Sequence, residues 1–242
     1  MTDMRRFYAP VESFKDKSVT LDADETRHLR DVLRLRIGDE VSVFDGTGRE
    51  FRCAVSEIGK KTSILSLIEE TPAASSESAF EITVAATILN GEKYDLIIQK
   101  AVELGVTQLI PLQSIRCDVK LKDAVKRLDR WRRIALEATK QCGRAKLMQI
   151  AEPLAFNDLI ISLKNENTVL FSERDGDSFS KIKKGKKLTA IYGPKGGWDD
   201  SELEAARLKD VKIVTLGGRI LRAETASIAI TAILQHRFGD LN

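Results

Sequence analysis

Cysteine is scarce in this 242-residue chain and histidine is scarcer. Cys53, Cys117 and Cys142 lie far apart with no C-x-x-C pair. Neither a disulfide framework nor a zinc site is expected, no metal ligands are assigned, and a reducing cytoplasm fits. The two histidines, His28 and His236, sit on an arginine-bearing segment and near the last residues; each reads as a surface or structural side chain rather than a proton shuttle. No apolar run approaches the roughly 18 residues that a membrane span needs, so no membrane partner is expected. The opening "MTDMRRFYAP" has no apolar core of a secretion signal, and none is expected. The glycine-rich loops end in neither G-K-[ST] nor G-x-G-x-x-G, which argues against a nucleotide-hydrolysing P-loop protein. No internal repeat or low-complexity tract is visible.

What is present describes a globular protein. Hydrophobic residues make up 43% and charged residues 31%, enough to bury the core of one large domain or two modest ones. The net charge is only +3, but it is uneven: Arg116 to Lys146 holds eleven Lys/Arg against four Asp/Glu. "KIKKGKK" (Lys181–Lys187) is a second basic run. "RHLRDVLRLR" is a third, with Arg27, Arg30 and Arg34 on one helical face at spacings of three and four. Each run alone could be a solvated helix face; three together favour a polyanionic partner, nucleic acid in particular.

Two grammars follow one another. "RRFYA", "SVTLD", "DEVSVFD", "EFRCAVSEI" and "TSILSLIEE" read as short strands, with "DGTG" as a turn and "DETRHLRDVLR" as a short helix, so the first third suggests a small barrel. "TPAASSES" (Thr71–Ser78) is small, polar and proline-containing, the best linker in the chain. Beyond it strands and helices alternate: "FEITVAATI", "EKYDLIIQKAVELG", "VTQLIPL", a long basic helix "KDAVKRLDRWRRIALEATKQCG", a short helix "NDLIISLK", then "TVLFSE", "KLTAIYG", "DSELEAARLK", "VKIVTLG" and "AETASIAITAILQHRFG". That alternation implies an α/β domain with a parallel sheet covered on both faces.

Ligands of open α/β sheets bind beyond the carboxyl ends of the strands. Three strands here end in "LFSERDGD" (Leu170–Asp177), "YGPKGGWDDSE" (Tyr192–Glu202) and "LGGRILRAETASIAI" (Leu216–Ile230). In the second, Gly193, Gly196 and Gly197 let a ligand touch the backbone, and Asp199, Asp200 and Ser201 start a helix whose first N–H groups are unpaired. A plain turn with an Asp/Ser cap would read the same way. In the third, Gly217 and Gly218 bend the chain, Ile220 and Leu221 are apolar where loops are usually polar, and Arg222, Glu224 and Thr225 open a helix apolar nearly all round. Such a helix is either a central core element or a subunit interface; its pattern fits both.

"YGPKGGWDDSE" followed by "VTLGGRILRAETA" and an apolar last helix resembles the SPOUT (α/β-knot) methyltransferases, and within them the RsmE family of 16S ribosomal RNA uridine N3-methyltransferases. The likeness covers nearly the whole chain. "MRRFYAP" resembles that family's start, "HLRDVLRLRIGDEVSVFDGTG" its N-terminal RNA-binding barrel of PUA type, and "KYDLIIQKAVELGVTQLIPL" and "RWRRIALEATKQCGR" the first half of its catalytic domain. The resemblance implies residues 1–72 as a small PUA-like β-barrel and 73–242 as a mainly parallel α/β-knot domain with a deep trefoil knot. It implies S-adenosyl-L-methionine held by Leu170, Phe171 and Ser172; by Tyr192, Gly193, Pro194, Gly196 and Gly197; and by Leu216, Gly217, Ile220, Leu221, Arg222, Thr225 and Ala226. It implies a homodimer packed through the knot helices, and 16S ribosomal RNA or the assembled small subunit as substrate, in the cytoplasm. Lys195 stands where the family pattern G-P-E-G-G has glutamate, so no role is carried over to it. In "EATKQCGR", Gln141 and Arg144 match the family's A-x-E-Q-S-x-R, whereas Lys140 and Cys142 depart from it.

Methyl transfer from a sulfonium needs alignment more than leaving-group assistance, but N3 of uridine carries a proton that must go. Arg222 stays protonated and could stabilise the anion growing on the uracil oxygens. Glu173 or Glu224 could take the proton, or could instead cap a helix or pair with an arginine. The base has to be splayed out of structured RNA. Arg5, Arg6, Arg27, Arg30 and Arg34 of the barrel, with Arg127, Arg130 and Arg133 of the basic helix, are the expected phosphate ligands, which position the RNA without naming the base. A non-catalytic RNA-binding factor of the same fold, or an enzyme acting on another RNA position such as a ribose 2′-hydroxyl, is the competing expectation.

Overall fold

A computed structural model describes residues 4–163 and 167–241. The chain forms two compact units. One is built from the chain up to Glu77 together with Thr139–Leu147, the other from Ser78–Ala138 and the chain from Met148 onward.

The first unit is a curled six-stranded sheet. Its strands are β1 (Arg6–Tyr8), β2 (Phe14–Lys15), β3 (Ser18–Leu21), β4 (Glu40–Phe44), β5 (Glu50–Ile58) and β6 (Ser63–Thr71), in the order β1-β4-β5-β6-β3-β2. β1 and β4 run parallel and every other neighbour is antiparallel. From Phe51 on, the buried Phe51, Cys53 and Val55 of β5 alternate with the more exposed Arg52, Ala54 and Ser56, as a strand with one face on a core must. They meet Phe7, Val19, Leu21, Val41, Val43 and Leu65 in a single apolar cluster.

The expected helix Asp24–Arg34 is shorter and changes character. Asp22 caps α1 (Ala23–Arg27), its Oδ1 accepting the Asp24 and Glu25 N–H groups at 3.0 and 2.9 Å. The chain then widens into a π-turn over His28–Val32. Leu33 N–H reaches back to the His28 carbonyl and Leu35 N–H to that of Leu29, which brings both Leu29 and Leu35 into the core. Arg34 lies beyond that turn with φ +53°. Arg27, Arg30 and Arg34 therefore do not share one α-helical face as their spacing suggested.

Arg6 ties the segment Thr139–Leu147 into this unit. Its guanidinium donates to Glu50 at 2.9 and 3.0 Å, and to the carbonyls of Thr139, Lys140 and Arg144 at 3.1, 2.8 and 2.9 Å. A cation thus sits on the last carbonyls of a helix, where the backbone dipoles favour it. Arg144 pairs with Glu77 at 2.7 Å, and Lys140 pairs with Glu25. The Glu50 carboxylate also accepts from the Ser42 hydroxyl and the Ala74 N–H.

The second unit is an eight-stranded sheet in which every pairing is parallel. In chain order it comprises β7 (Glu81–Thr87), α2 (Glu92–Glu103), β8 (Gln108–Gln113), α3 (Leu121–Val125), α4 (Leu128–Cys142, whose last turn from Thr139 belongs to the first unit), β9 (Gln149–Ile150), β10 (Leu154–Ala155) and α5 (Phe156–Ser162). It continues with β11 (Thr168–Phe171), β12 (Asp177–Ser178), β13 (Lys187–Tyr192), α6 (Asp200–Leu208), β14 (Lys212–Thr215) and α7 (Ala223–Phe238). The strand order is β10-β8-β7-β13-β11-β14-β12, with β9 beside β8. β11 is buried at every position and β13 at all but its first, the signature of strands covered on both faces.

Two expectations change here. The long basic helix Lys122–Gly143 is two helices, α3 and α4. They are separated at Lys126–Arg127, where Arg127 N–H bonds to the Ala124 carbonyl. That tightened turn keeps Ala124 and Leu128 buried on either side of it. The expected helix Asn157–Lys164 is α5, and its last residue, Lys164, lies outside the described residues. The short strands β2, β9, β10 and β12 have no pattern of their own in the sequence.

Burial alone would raise the Glu50 carboxyl, but the bonds from Arg6, Ser42 and Ala74 outweigh it and hold it below the usual range. A carboxylate depressed in the folded state adds stability that is present above its unfolded value, ~4.3 for glutamate, and is lost as pH falls through the lower folded value. Glu50→Gln should cost about 3 kcal/mol at neutral pH, because it leaves the buried guanidinium without a counter-charge. It should also flatten the acid limb of stability. Chemical unfolding followed from pH 7 to 3 checks both.

Candidate active site

Strands β13, β11 and β14 lie side by side, so their carboxyl ends at Tyr192, Phe171 and Thr215 open in one row. The three loops that leave them enclose a cavity of about 370 Å³. Its walls are Phe171–Glu173, Tyr192–Trp198 and Thr215–Leu221, closed by Ala223, Ala226 and Ile230 of α7. β11 precedes β13 in the chain yet lies between β13 and β14, and this interleaving is what gathers the loops.

Trp198 holds the first two loops together. It is fully buried, its Nε1–H donates to the Phe171 carbonyl at 2.9 Å, and its ring packs on Phe156 with centroids 5.1 Å apart. The backbone of Gly193 passes so close to the indole that a Cβ there would stand 2.9 Å from ring atoms, which leaves room only for glycine. Asp199 then caps α6 in a reciprocal box with Glu202. Its carboxyl is held below the usual range by its bonds from Ser201 and by Arg116. Arg116, from the loop after β8, bonds to Asp199 at 3.2 Å and to the Gly196 carbonyl at 3.1 Å. Arg174 bonds to the Trp198 carbonyl at 3.0 Å and to Asp200 at 2.7 Å.

On the other side, the Phe171 and Tyr192 rings stack at 5.5 Å. The Thr231 hydroxyl donates to the Ser227 carbonyl, so the Tyr192 hydroxyl, 2.9 Å away, donates to Thr231. Burial pushes that phenol far above its ordinary value, so it stays protonated. Gly217 and Gly218 have φ of +80° and +77°, with no atom within 4 Å of where a Cβ would stand. Glycine is needed there for the left-handed backbone and not for lack of space.

A smaller cavity of about 170 Å³ adjoins this one through Pro194 and Lys195. It is lined by Ile88, Leu89, Asn90 and Lys93, by Arg116, Cys117 and Asp118, and by Glu224. Lys93 pairs with Glu224 at 3.3 Å and Asn90 bonds to Asp118 at 3.4 Å. Burial would raise the Glu224 carboxyl, but a backbone N–H, Lys93 and Arg222 outweigh it and keep it below the usual range, so it is ionised.

The structure gathers Phe171, Ser172, Tyr192, Gly193, Pro194, Gly196, Gly197, Leu216, Gly217, Ile220, Leu221 and Ala226 around the larger cavity, with Glu173 among them. Leu170 does not reach it: its side chain is buried in the core beside Leu203 and Ile213. Arg222 and Thr225 are exposed at the start of α7 and are not in the cavity wall, and Glu224 belongs to the smaller cavity. Sequence reasoning missed Trp198 and left Lys195 without a role, although both lie inside the quoted loop motif. It also missed Asn90, Lys93 and Asp118, which follow strands β7 and β8; Lys93 opens the family-like "KYDLIIQKAVELGVTQLIPL" and Asp118 lies in "RCDVK", only loosely similar to a family R-S-V-V-K, and neither stretch marks the side chain for a site.

Among the expected phosphate ligands, Arg6 is corrected. Its guanidinium is turned inward onto Glu50 and three carbonyls, and its side chain is only 11% exposed, so it is a structural group. Arg30 is bonded to Asp31 and to the carbonyls of Gly59 and Lys60, and Arg130 to Asp95. Arg5, Arg27, Arg34 and Arg133 are exposed and Arg127 half-buried. Among the described residues no group of His, Cys, Asp and Glu side chains could hold a metal, and no helix is long and apolar enough to cross a membrane.

Comparison with known proteins agrees with this geometry. The profile of the RNA methyltransferase domain matches residues 76–235, and that of the RNA methyltransferase PUA domain matches residues 21–68. The fold and the site thus define an RNA methyltransferase of the SPOUT type with a PUA domain. Ribosomal RNA small subunit methyltransferase E of Rickettsia conorii is 32% identical over 96% of this chain and 94% of its own length. The enzyme of that name from Bacillus subtilis is 31% identical over 92% and 91%. The crystal structure of the enzyme from Neisseria gonorrhoeae, bound to S-adenosyl methionine, superposes with a TM-score of 0.90 at 32% identity, covering 99% of this chain and all of that one. The chain belongs to the ribosomal RNA small subunit methyltransferase E family.

Trp198→Phe keeps a ring in place but leaves the Phe171 carbonyl without its indole partner. It should cost about 1–3 kcal/mol, read by thermal unfolding, with most of the loss regained in no aliphatic replacement at the same position.

Proposed function

We propose that this chain transfers a methyl group from S-adenosyl-L-methionine to N3 of one uridine in 16S ribosomal RNA, in the cytoplasm. The carrying observation is the 370 Å³ cavity at the ends of β11, β13 and β14. It suits the cofactor. The left-handed Gly217–Gly218 pair lets the backbone come close to a ligand, while Leu216, Leu221 and Ile230 offer an apolar wall for a flat purine. Phe171 and Ser172, the backbone of Tyr192, Gly193, Pro194, Gly196 and Gly197, and Leu216, Gly217, Ile220, Leu221 and Ala226 would hold it, and when bound it supplies an electrophilic methyl group. Family membership and the cofactor-bound relative support the same reading.

The chain's own task is alignment and charge control. Arg222, exposed beside the cavity, supplies a permanent positive charge for the uracil oxygens. Glu173 and Glu224 are the carboxylates placed to receive the N3 proton. We assign RNA binding to residues 1–72 and methyl transfer to residues 73–242, of which 73–77 and Thr139–Leu147 pack in the first unit, and a deep trefoil knot to the methyltransferase domain. The exposed Arg5, Arg27, Arg34 and Arg133 meet phosphates on the small subunit or its naked RNA. α7 carries Ile228, Ala229 and Ala232 half-covered and Ile233 exposed, an apolar face that a second copy of the chain would cover in a homodimer.

Two measurements test this. Titration with S-adenosylmethionine should saturate, and Gly217→Val should weaken it at least about tenfold, since a β-branched residue at φ +80° costs roughly 1–3 kcal/mol. Labelled cofactor offered with unmethylated small subunits, or with naked 16S RNA, should give 3-methyluridine on mass analysis of the digested RNA. A ribose-methylated product, or none from cofactor-binding protein, would overturn the assignment.

A further inference from the structure

We infer that the smaller cavity, between Ile88–Asn90, Arg116–Asp118, Pro194–Lys195 and Glu224, is the seat of the nucleobase that receives the methyl group. The inference rests on the methyltransferase reading above and locates the acceptor side of that same site.

Four observations converge. The first is position. The two cavities share Pro194 and Lys195. Glu224 lines the smaller cavity, while its chain neighbour Ala223 and, further along, Ala226 line the larger. The two cavities are therefore neighbours, and a donor in one beside an acceptor in the other is the arrangement that in-line transfer needs. The second is form: about 170 Å³ with Ile88 and Leu89 buried in its wall is room for a single flat ring and not for a second cofactor. The third is chemistry. Uracil presents two carbonyl acceptors and one N–H. Among the residues that line the cavity, Asn90, Arg116 and Lys195 carry donors, the Glu224 and Asp118 carboxylates are acceptors, and Lys93 is paired with Glu224.

The fourth is the state of Glu224. Its side chain is 14% exposed and Lys93 holds it at 3.3 Å. Glu173, by contrast, lines the larger cavity near Gly197, on the cofactor side. Asp118 also lines the smaller cavity, but only Glu224 lies between residues, Ala223 and Ala226, that line the larger one: Glu224 Oε accepts the N3 proton. The electron pair left on N3 becomes the new bond to the methyl group of the sulfonium donor, whose sulfur keeps the electrons of the bond that breaks. Lys195 then has a task that the departure from the family pattern left open. It places a positive charge beside the uracil oxygens as charge builds there. Lys93 is a positioning residue that aims Glu224.

The test uses the full chain. Asn90→Ala, Lys195→Met and Glu224→Gln are compared with wild type by cofactor titration, and by single-turnover methyl transfer to unmethylated small subunits at saturating S-adenosylmethionine. Asn90 and Lys195 are exposed, so these two variants keep the test independent of folding. Cofactor affinity should stay within about threefold, while transfer falls about tenfold for Asn90→Ala and Lys195→Met and at least ~100-fold for Glu224→Gln. Lys93→Met should lower the rate at saturation with little change in the RNA concentration needed. Unchanged transfer with intact cofactor binding overturns the assignment, and so does a loss of cofactor affinity as large as the loss of transfer. Irradiation of the wild-type protein with 16S RNA containing 4-thiouridine gives a readout that needs no turnover. Crosslinks in peptides spanning 88–93, 116–118 or 194–195 support the seat, and crosslinks confined elsewhere overturn it even if no methyl transfer is seen.

Discussion

The hydrogen bond from the Trp198 indole to the Phe171 carbonyl is the contact on which the site depends. It joins the end of β11 to the loop after β13, two strands that are neighbours in the sheet but not consecutive in the chain. A buried indole N–H without a partner is costly, so the loop has one place to go. Gly193 lets it get there by lying against the ring, and Asp199 starts α6 immediately afterwards. Arg116 and Arg174 fasten the outer side of the same loop. Both cavities share Pro194 and Lys195 of this loop, so one anchored turn sets the position of both.

The arginines show how one residue type divides its duties. Arg6 and Arg144 sit buried against carboxylates and close the barrel unit around the end of α4. Arg116 and Arg174 shape the site loops, and Arg5, Arg27, Arg34 and Arg133 remain in solvent. The guanidinium fork suits each role, because it satisfies carbonyls and carboxylates in fixed directions and stays charged when partly buried. A net charge of +3 counts inward-turned and exposed arginines alike, so it does not measure the basic surface.

Legibility differed by kind of residue. The parallel α/β unit was readable because strands buried on both faces leave apolar runs such as "TVLF" and "KLTAIY" between helical patterns. The cavity loops were readable because glycine pairs and apolar loop residues are unusual between a strand and a helix. Arg6 was misread since nothing in "MRRFYAP" distinguishes an arginine that points to solvent from one that points to Glu50, forty-four positions away. The spacing of Arg27, Arg30 and Arg34 presumed an α-helix, and the core's demand for Leu29 and Leu35 widened that helix into a π-turn. Leu170 was placed with its loop although strand alternation turns it to the opposite side of the sheet from the cavity-lining Phe171.

Local pattern alone determined the two-part organisation, the existence of most helices and strands, the three ligand-loop motifs and the family likeness. All of these depend on residues close together in the chain. Tertiary structure alone decided that β11 lies between β13 and β14, that Arg6 faces inward, and that Asn90, Lys93, Asp118 and Glu224 share one cavity with Lys195. These depend on which distant segments pack together. That choice is made by burial summed over the whole core, and no short stretch carries its record.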